Sequence, residues 1–389
     1  MNFSLPFSRR IVFGDGCSNQ VGAIAKGLGG TKILCIYDKG VKDAGLVAPI
    51  LETLVLTGLE PVMFEDVQVS VPYSTIKEAA ALAADAGINC ILAIGGGSAM
   101  DTGKAVNVAL TQEGDFDKYV GTFDAFPVYG PALKPYICIP TTAGTGSEVS
   151  PVAVVYDVEA GVKKALPQEE NTPTVAIVDP LLHVGMPPKL TAATGWDALA
   201  HAIEGIGGYK RNPLLTAWGL TVCDLVYKFL PRAVADGKDL EAREGMAMAA
   251  TFGIIVGSGG GFHLGHAFGH SIEAVTHVPH GITCAFALPE VCEWYAEAIP
   301  AETRSMARIF GVDVNGQSNA EIGRELKQAL RDFYFKLDLP HAQGVIPDAS
   351  RIDHIIDLTM GEFTYMTSIR KPTRKELTGM LEAACEATN

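Results

Sequence analysis

The stretch NCILAIGGGSAMDTGK (89–104) joins an apolar run to three glycines and then to a helical pattern. Apolar residues without alternation are typical of a parallel strand that is covered on both faces of its sheet. The glycines let the backbone approach a ligand where the helix begins, and a helix amino terminus favours a phosphate. The stretch therefore predicts a strand–loop–helix unit for a phosphorylated ligand, although it lacks the GxGxxG pattern of the Rossmann fingerprint.

Similar apolar runs flank this unit along the first half of the chain. They lie at 31–38 (TKILCIYD), 61–67 (PVMFEDV) and 135–142 (PYICIPTT). Segments with helical spacing separate them, at 47–58 and 74–87. Strands that alternate with helices in this way form βαβ units. The sequence therefore predicts a Rossmann-like parallel sheet with helices on both faces.

The pattern changes after Pro and Gly cluster at 178–190, which is typical of a boundary between segments. From about residue 190 onward, apolar residues recur at helical spacing, and amphipathic helices follow one another. The sequence thus predicts an α/β plus all-α fold class. The α/β domain spans residues 1–182, and the all-helical domain spans residues 183–389.

The composition excludes several classes of protein. The 389 residues include 44 Asp and Glu against 30 Lys and Arg, a net charge of −14, and 48% are hydrophobic. This mixture excludes a disordered chain. The lack of a dense basic run argues against nucleic acid as a partner. No apolar run approaches the roughly 20 residues that span a bilayer, so no membrane partner is expected.

The amino-terminal stretch and the cysteines indicate a cytoplasmic protein. The stretch MNFSLPFSRRIVFGDG (1–16) lacks the basic start and apolar core of a signal peptide. The eight cysteines form no CxxC pair, and several, such as Cys35 and Cys138, lie in apolar runs. We therefore expect buried, reduced thiols.

A second loop repeats the design of the first. In PTTAGTGSEVS (140–150), threonines, glycines and serines follow a predicted strand. Two such loops after parallel strands indicate a ligand at the carboxyl edge of the sheet. Asp38 ends another strand, where its carboxylate would accept hydrogen bonds from ribose hydroxyls or would cap a helix. Lys164 would contact a phosphate or ribose, or would be a solvated lysine in a hairpin.

Histidines in the second half form a pattern typical of a metal site. Asp197 and His201 lie four residues apart in a predicted helix and therefore share one face. Five more histidines lie within eighteen residues, namely His263, His266, His270, His277 and His280. So many separately buried histidines would be costly, and a set of several imidazoles with one carboxylate suits Fe(II) or Zn(II). Spacing alone leaves open which of them are ligands.

Taken together, five motifs carry a resemblance to a known family. GGGSAMDTGK, PTTAGTGSEVS, DALAHAIEG, HAFGH and VPHG occur in the order seen in the iron-dependent (group III) alcohol dehydrogenases. The likeness runs from about residue 5 to the carboxyl terminus. It implies a dehydroquinate-synthase-like architecture, with an amino-terminal dinucleotide-binding α/β domain and a carboxyl-terminal helical domain that binds metal and carries the catalytic groups.

The resemblance also implies roles for individual residues. The implied metal ligands are Asp197, His201, His266 and His280. His270 matches a non-ligating histidine beside the substrate and the nicotinamide. Asp38 matches a position associated with preference for NAD over NADP, and Lys164 matches a lysine near the nicotinamide ribose. The remaining cofactor positions are Gly96, Gly97, Ser98 and Asp101 in the first loop and Thr141, Thr142 and Thr145 in the second.

Some positions depart from the family's pattern. Ser70 stands where relatives often have Asn, Val152 stands where a relative has Asn near the substrate, and His263 replaces a frequent Gly. The run SIRKPT (368–373) stands where many relatives have Gly-Gly-Asn-Pro-Arg. If Arg370 and Lys371 point inward, they would favour an aldehyde with an acidic group.

These observations predict an NAD-linked, metal-dependent alcohol dehydrogenase or aldehyde reductase for a short-chain substrate. The metal, Fe(II) or alternatively Zn(II), would lower the pKa of the alcohol. Hydride would pass to NAD, and His270 would carry the proton. The alternatives are a lyase or synthase of the dehydroquinate-synthase type, a glycerol-dehydrogenase-like zinc enzyme, and a sensor that binds cofactor without turnover. The resemblance further implies a homodimer or a higher homo-oligomer.

Overall fold

The protein is described here by a computed structural model that covers residues 10–121, 129–130, 132–159 and 162–387. The stretch 1–9, part of the segment without a leader pattern, lies outside the described residues. The chain forms two compact units. In the described part, the sheet unit comprises residues 10–142 and 146–185, and the helical unit comprises residues 143–145 and 186–387.

The sheet unit contains eight strands, six of which form one parallel sheet. The strands are β1 (Ile11–Phe13), β2 (Lys32–Ile36), β3 (Glu60–Phe64), β4 (Cys90–Gly95), β5 (Tyr136–Pro140), β6 (Val152–Asp157), β7 (Val162–Pro167) and β8 (Val175–Val178). The parallel sheet has the order β1-β8-β5-β4-β2-β3, and β6 pairs antiparallel with β7. Between β4 and β2 the register pairs Cys90 with Ile33 and Ala93 with Ile36.

Five helices belong to the sheet unit, namely α1 (Val21–Gly27), α2 (Lys39–Asp43), α3 (Val47–Leu56), α4 (Tyr73–Ala86) and α5 (Gly97–Thr111). Successive side chains of a strand point to opposite faces of the sheet. Leu34 and Ile36 of β2 lie in one buried cluster with Ile76 of α4. Ile33 lies in a separate buried cluster with Ile50 of α3. Both faces are therefore buried, which explains why the strands lack polar alternation.

The helical unit consists of α6 (Pro188–Gly207), α7 (Pro213–Ala235), α8 (Leu240–Gly260), α9 (Leu264–Thr276), α10 (His280–Tyr295), α11 (Pro300–Ile309), α12 (Asn319–Lys336), α13 (Ala342–Val345), α14 (Ile352–Gly361), α15 (Phe363–Met366) and α16 (Arg374–Ala387). Its core surrounds the fully buried Trp196 of α6. Glycines, which have no side chain, let the helices approach closely. A Cβ on Gly281 of α10 would lie 2.1 Å from the carbonyl oxygen of Ala193 of α6. This approach brings the start of α10 against Asp197, because the same Cβ would lie 3.4 Å from the Cβ of Asp197.

Among the described helices, none alone combines the length and the apolar composition that crossing a bilayer requires. One pair, Leu240–Gly260 with Leu264–Thr276, meets both criteria together although it is bent by 107°. Core helices of soluble proteins pass the same criteria.

Candidate metal centre and cofactor loops

Three helices bring one carboxylate and three imidazoles together. Asp197 and His201 lie one turn apart on α6, where both are buried, and His201 Nε2 is 3.5 Å from Asp197 Oδ1. His266 Nε2 of α9 lies 3.9 Å from the same oxygen. His280 Nε2 of α10 lies 3.7 Å from it. Three ring nitrogens from different parts of the sequence therefore converge on a single carboxylate oxygen.

The local backbone explains these positions. Gly261 ends α8 with φ 94°, a left-handed conformation that glycine adopts without strain, and this turn starts α9. His277 ends α9 with φ 57°. Pro279 then leads into α10, so His280 is the first residue of that helix.

The donor atoms fit a divalent metal. Asp197 Oδ1 and His266 Nε2 are buried, and neither has a hydrogen-bond partner. Leaving buried polar atoms unpaired is costly, and ligation of an ion would remove part of that cost. Imidazole nitrogens with one carboxylate suit Fe(II) and Zn(II).

Burial and neighbouring charges shift the pKa values on α6. Burial acts to raise the pKa of Asp197, but the imidazoles of His201, His280 and His266 outweigh it, so the pKa lies below its ordinary value. Burial lowers the pKa of His201 to about 4, although Asp197 acts in the opposite direction. Asp197 is therefore ionised and His201 neutral at neutral pH, the forms in which both bind metal.

The imidazoles on α9 and α10 behave differently. Burial acts to lower the pKa of His280, but the Cys284 thiol, the Glu273 carboxylate and Asp197 outweigh burial and raise it to about 10. The pKa of His266 is raised in the same way by Cys284 and Glu204. In the metal-free chain these two imidazoles hold protons that a metal must displace.

Two carboxylates to which the motifs assign no role lie behind His266 and His280 and orient their rings. Glu204, fully buried one turn after His201, accepts a hydrogen bond from His266 Nδ1 at 2.6 Å and another from the backbone N–H of His263 at 2.7 Å. Glu273 lies 3.1 Å from His280 Nδ1. Such carboxylates fix the ring orientation of ligating histidines. Their spacing from the histidines, Glu204 three residues after His201 and Glu273 seven before His280, is the only sequence signal.

A thiol also lies within this cluster. Cys284, fully buried on α10, has its Sγ 3.5 Å from His280 Nε2. Among the described residues, donor atoms of Asp197, His266, His280 and Cys284 all lie within 4.8 Å of one another. Burial would raise the pKa of Cys284, but the two imidazoles outweigh it and hold the pKa below its ordinary value. The sequence analysis places this cysteine among the core thiols.

His270 lies next to the ligands and is one-third exposed. Its ring centroid is 5.4 Å from that of His280 and 5.8 Å from that of His266. Its Nδ1 lies 3.2 Å from a carboxylate oxygen of Glu362, which follows α14. Burial lowers the pKa of His270, and Glu362 acts to raise it. The ring is thus held beside the cluster by a group that sequence spacing does not indicate.

The two glycine-rich loops lie side by side at the carboxyl ends of β4 and β5. Thr141 donates its backbone N–H to the carbonyl of Gly95 at 2.9 Å. A Cβ on Gly96 would lie 3.2 Å from Thr142 Oγ1. Gly97 begins α5 and Ser98 follows it, so both lie in the helix's first turn. Thr145 lies on the same loop but groups with the helical unit.

Asp101, a predicted cofactor residue, is held by protein groups. Its carboxylate accepts hydrogen bonds from Ser147 Oγ at 2.6 Å and from the backbone N–H of Val154 at 2.9 Å. Lys104, fully buried, lies 3.4 Å from it and donates to Ser147 Oγ and to the Val152 carbonyl, both at 2.7 Å. This network fixes the loop between β5 and β6.

Asp38 and Lys164 both have protein partners as well. Asp38 Oδ1 caps α2 by accepting the N–H of Val41 at 2.9 Å. Its second oxygen lies beside β4, because a Cβ on Gly95 would be 3.7 Å from Oδ2. Lys164 of β7 pairs with Asp157 across the hairpin at 2.7 Å. Asp38 thus serves as a helix cap, whereas Lys164 lies in a hairpin as a partly buried member of an ion pair and not as a solvated lysine. The cofactor roles of both residues stay predictions.

Two departures from the family's pattern have a structural account. Ser70 has φ 66°, a left-handed conformation that Asn adopts more readily than Ser. Arg370 stacks its guanidinium 4.0 Å from the ring centroid of Trp294 and donates to the Trp294 carbonyl at 2.5 Å. Lys371 is exposed. The guanidinium that was expected to meet an acidic substrate is therefore engaged by Trp294.

Comparison with known proteins identifies the family. A model described as "Iron-containing alcohol dehydrogenase" matches residues 8–180. A second, described as "Fe-containing alcohol dehydrogenase family, C-terminal", matches residues 191–385. The chain therefore belongs to the iron-containing alcohol dehydrogenase family.

Individual relatives agree with this assignment. The choline dehydrogenase of Bacillus subtilis (strain 168) is 36% identical over 341 residues, which are 87% of this chain and 84% of that protein. The NAD-dependent methanol dehydrogenase of Bacillus methanolicus is 33% identical over 339 residues, 87% of each protein. A solved 1,3-propanediol oxidoreductase has a TM-score of 0.94 at 29% identity and covers 99% of this chain and 100% of that one. The predicted family, fold class and NAD-linked alcohol dehydrogenase reaction are confirmed, and the lyase alternative is set aside.

Proposed function

We propose that the chain interconverts a short-chain alcohol and its aldehyde with NAD(H) at a metal centre held by Asp197, His201, His266 and His280. The observation that carries this proposal is the convergence of three imidazole nitrogens on Asp197 Oδ1 at 3.5 to 3.9 Å. A bound Fe(II) or Zn(II) would act as a Lewis acid toward the alcohol oxygen.

The other residues bind, orient and move protons. Glu204 and Glu273 hold the rings of His266 and His280 in place through hydrogen bonds of 2.6 and 3.1 Å. His270 takes up the alcohol proton and passes it toward solvent, which its one-third exposure supports. Glu362 holds the His270 ring at 3.2 Å.

Cofactor binding falls to the loops that follow β4 and β5, together with Asp38 beyond β2 and Lys164 of β7. The amino terminus of α5, at Gly96, Gly97 and Ser98, offers backbone N–H groups to a pyrophosphate. Asp38 lies at the end of the adjacent strand β2, where its free oxygen would accept ribose hydroxyls and repel a 2′-phosphate. Asp101, Thr141, Thr142, Thr145 and Lys164 complete the proposed binding surface. Asp101 contributes indirectly, because its hydrogen bonds to Ser147 and Val154 hold the loop between β5 and β6.

The substrate class is a short-chain alcohol or aldehyde, and the structure adds no support for an acidic one. Arg370 is engaged by Trp294. The charged groups in contact with His280 and His270 are the carboxylates of Glu273 and Glu362, which would not attract an acidic substrate. An aldehyde with an acidic group stays a prediction, and unchanged efficiency of an Arg370→Ala/Lys371→Ala variant on such an aldehyde would refute a role of these two side chains in binding it.

We further infer a cytoplasmic homodimer or higher homo-oligomer with domains at 1–182 and 183–389. All eight cysteines are free thiols, as is usual in a reducing compartment. Light scattering of the purified protein tests the oligomer.

The reaction is tested with protein purified without oxygen, stripped by a chelator and restored with Fe(II), Zn(II), Mn(II) or nothing. Oxidation of NADH is then followed with neutral, hydroxylated and acidic short aldehydes. We expect consumption of NADH only with metal, and turnover in the stripped protein would refute the ligand assignment. An Asp38→Asn variant, which keeps the helix cap, should raise the use of NADPH relative to NADH. An unchanged ratio would remove Asp38 from cofactor recognition.

A further inference from the structure

Cys284 occupies a position that neither the family motifs nor the proposed mechanism uses. It lies one helical turn after His280 on α10, so the two side chains share one face of the helix. The thiol is fully buried, and its Sγ lies 3.5 Å from Nε2 and 3.9 Å from Nδ1 of His280.

Other buried thiols of this chain have different surroundings. Cys17 directs its thiol to the carbonyl of Val178 at 3.3 Å, and Cys35 directs its thiol to the carbonyl of Ile33 at 3.5 Å. Cys223 lies within the apolar core of the helical unit. Cys284 belongs to the same apolar core as Cys223, but its sulfur also meets the two imidazole nitrogens of His280.

The absence of a side chain on α9 makes room for the sulfur of Cys284 beside His266 and His280. Gly269 of α9 has no side chain, and a Cβ there would lie 2.5 Å from the sulfur. Any residue larger than glycine at this position would displace the thiol. One donor atom of each of Asp197, His266 and His280 lies within 4.8 Å of the sulfur. Asp197 Oδ1 and His266 Nε2 are buried and have no hydrogen-bond partner.

We propose that Cys284 is a donor to the metal, so that the centre is a mixed carboxylate, imidazole and thiolate site. This rests on the proposed ligand roles of Asp197, His266 and His280. On binding, the sulfur–metal bond forms, the S–H bond breaks, and its proton leaves to solvent. A thiolate is a soft ligand that favours Zn(II) and Co(II) over the harder Mn(II).

The first test detects the sulfur–metal bond by spectroscopy and does not depend on enzymatic activity. The stripped protein is loaded with Co(II), and its absorption spectrum is recorded. A cysteine donor adds a thiolate-to-cobalt charge-transfer band in the near ultraviolet to the visible bands of the bound ion. We expect this band in the natural chain, its loss in Cys284→Ser, and its retention in the matched control Cys223→Ala, which removes a buried thiol far from the ligands in sequence.

The second test compares metals. Removing a residue that only hydrogen-bonds to a metal ligand already lowers metal affinity roughly 10–100-fold. We therefore expect Cys284→Ser to lower Zn(II) affinity at least about tenfold while Mn(II) affinity changes much less, so that the Zn/Mn ratio falls. A general loss of folding would lower both affinities together and would leave the ratio unchanged, and such a result counts against the proposal.

The outcomes separate this proposal from the proposed function. Cobalt bound with its visible bands but without the charge-transfer band overturns the cysteine donor and leaves the other ligands in place. Failure of stoichiometric Co(II) and Zn(II) binding overturns both. If Cys284→Ser does not fold, X-ray absorption of the natural zinc form decides the question. A sulfur neighbour at about 2.3 Å beside nitrogen and oxygen at about 2.0–2.1 Å supports the proposal, and nitrogen and oxygen alone refute it.

Discussion

Replacing Glu204 by Gln tests whether a fully buried carboxylate orients the metal ligands. Glu204 accepts from His266 Nδ1 at 2.6 Å with one oxygen and from the N–H of His263 at 2.7 Å with the other. Burial acts to raise the pKa of Glu204, but His266 and His263 outweigh it and lower it to about 2. The natural side chain is therefore an acceptor at both oxygens. A glutamine has one acceptor and one donor group, so one of the two N–H groups faces another donor.

The size of the effect follows from these contacts. Losing the partner of a ligating histidine costs roughly 10–100-fold in metal affinity, or about 1.4–2.7 kcal/mol. The unpaired buried donor costs about 1–3 kcal/mol in the stability of the metal-free chain. Glycine at position 265 leaves space for the Glu204 carboxylate, because a Cβ there would lie 2.4 Å from Glu204 Oε1. A glutamine has the same length as glutamate and therefore fits the same space.

The assay is titration of the stripped protein with Zn(II) against a competing chelator, together with denaturant unfolding of the metal-free form. Glu290→Gln is the matched control, since Glu290 is also buried but pairs with Arg331. We expect both variants to lose stability and only Glu204→Gln to lose metal affinity. Natural affinity in Glu204→Gln would refute the orienting role, and an equal loss in the two variants would attribute the effect to folding.

Three further predictions concern protons and buried charge. Because the pKa of His280 is raised to about 10 and a metal binds the neutral ring, metal affinity should rise with pH by up to about tenfold per unit for each displaced proton. Chelator competition between about pH 6 and 8 measures this, and a flat profile contradicts it. His270→Gln should lower turnover by about 10²–10⁴-fold while fluorescence titration shows unchanged NADH binding. Arg331→Met strands the buried Glu290 carboxylate and should cost about 3–5 kcal/mol in denaturant unfolding, where a loss under about 1 kcal/mol would be inconsistent with a buried pair.

Much of the sheet could be predicted because its determinants are local. The runs at 31–38, 89–97 and 135–142 contain the observed strands β2, β4 and β5, and the run at 61–67 overlaps β3, which begins one residue earlier at Glu60. Burial on both faces leaves no polar alternation, and that pattern is visible in sequence. Strands β1 and β8, with three and four residues, are too short to give such a pattern, and they are held by pairing with each other.

The sequence by itself determined a set of candidate metal ligands, without deciding among the histidines, and two candidate phosphate loops. Asp197 and His201 share a helix face because they are four residues apart, and the glycines follow a strand because both lie in one short segment. Tertiary structure alone decided that Glu204 meets His266 and that Glu362 meets His270, contacts that span 62 and 92 residues. It also decided that Cys284 lies beside His280 and His266. Helix packing sets these distances. The approach of α10 to α6, for example, requires glycine at position 281, because a Cβ there would collide with α6. No periodicity along the chain encodes which helix faces another.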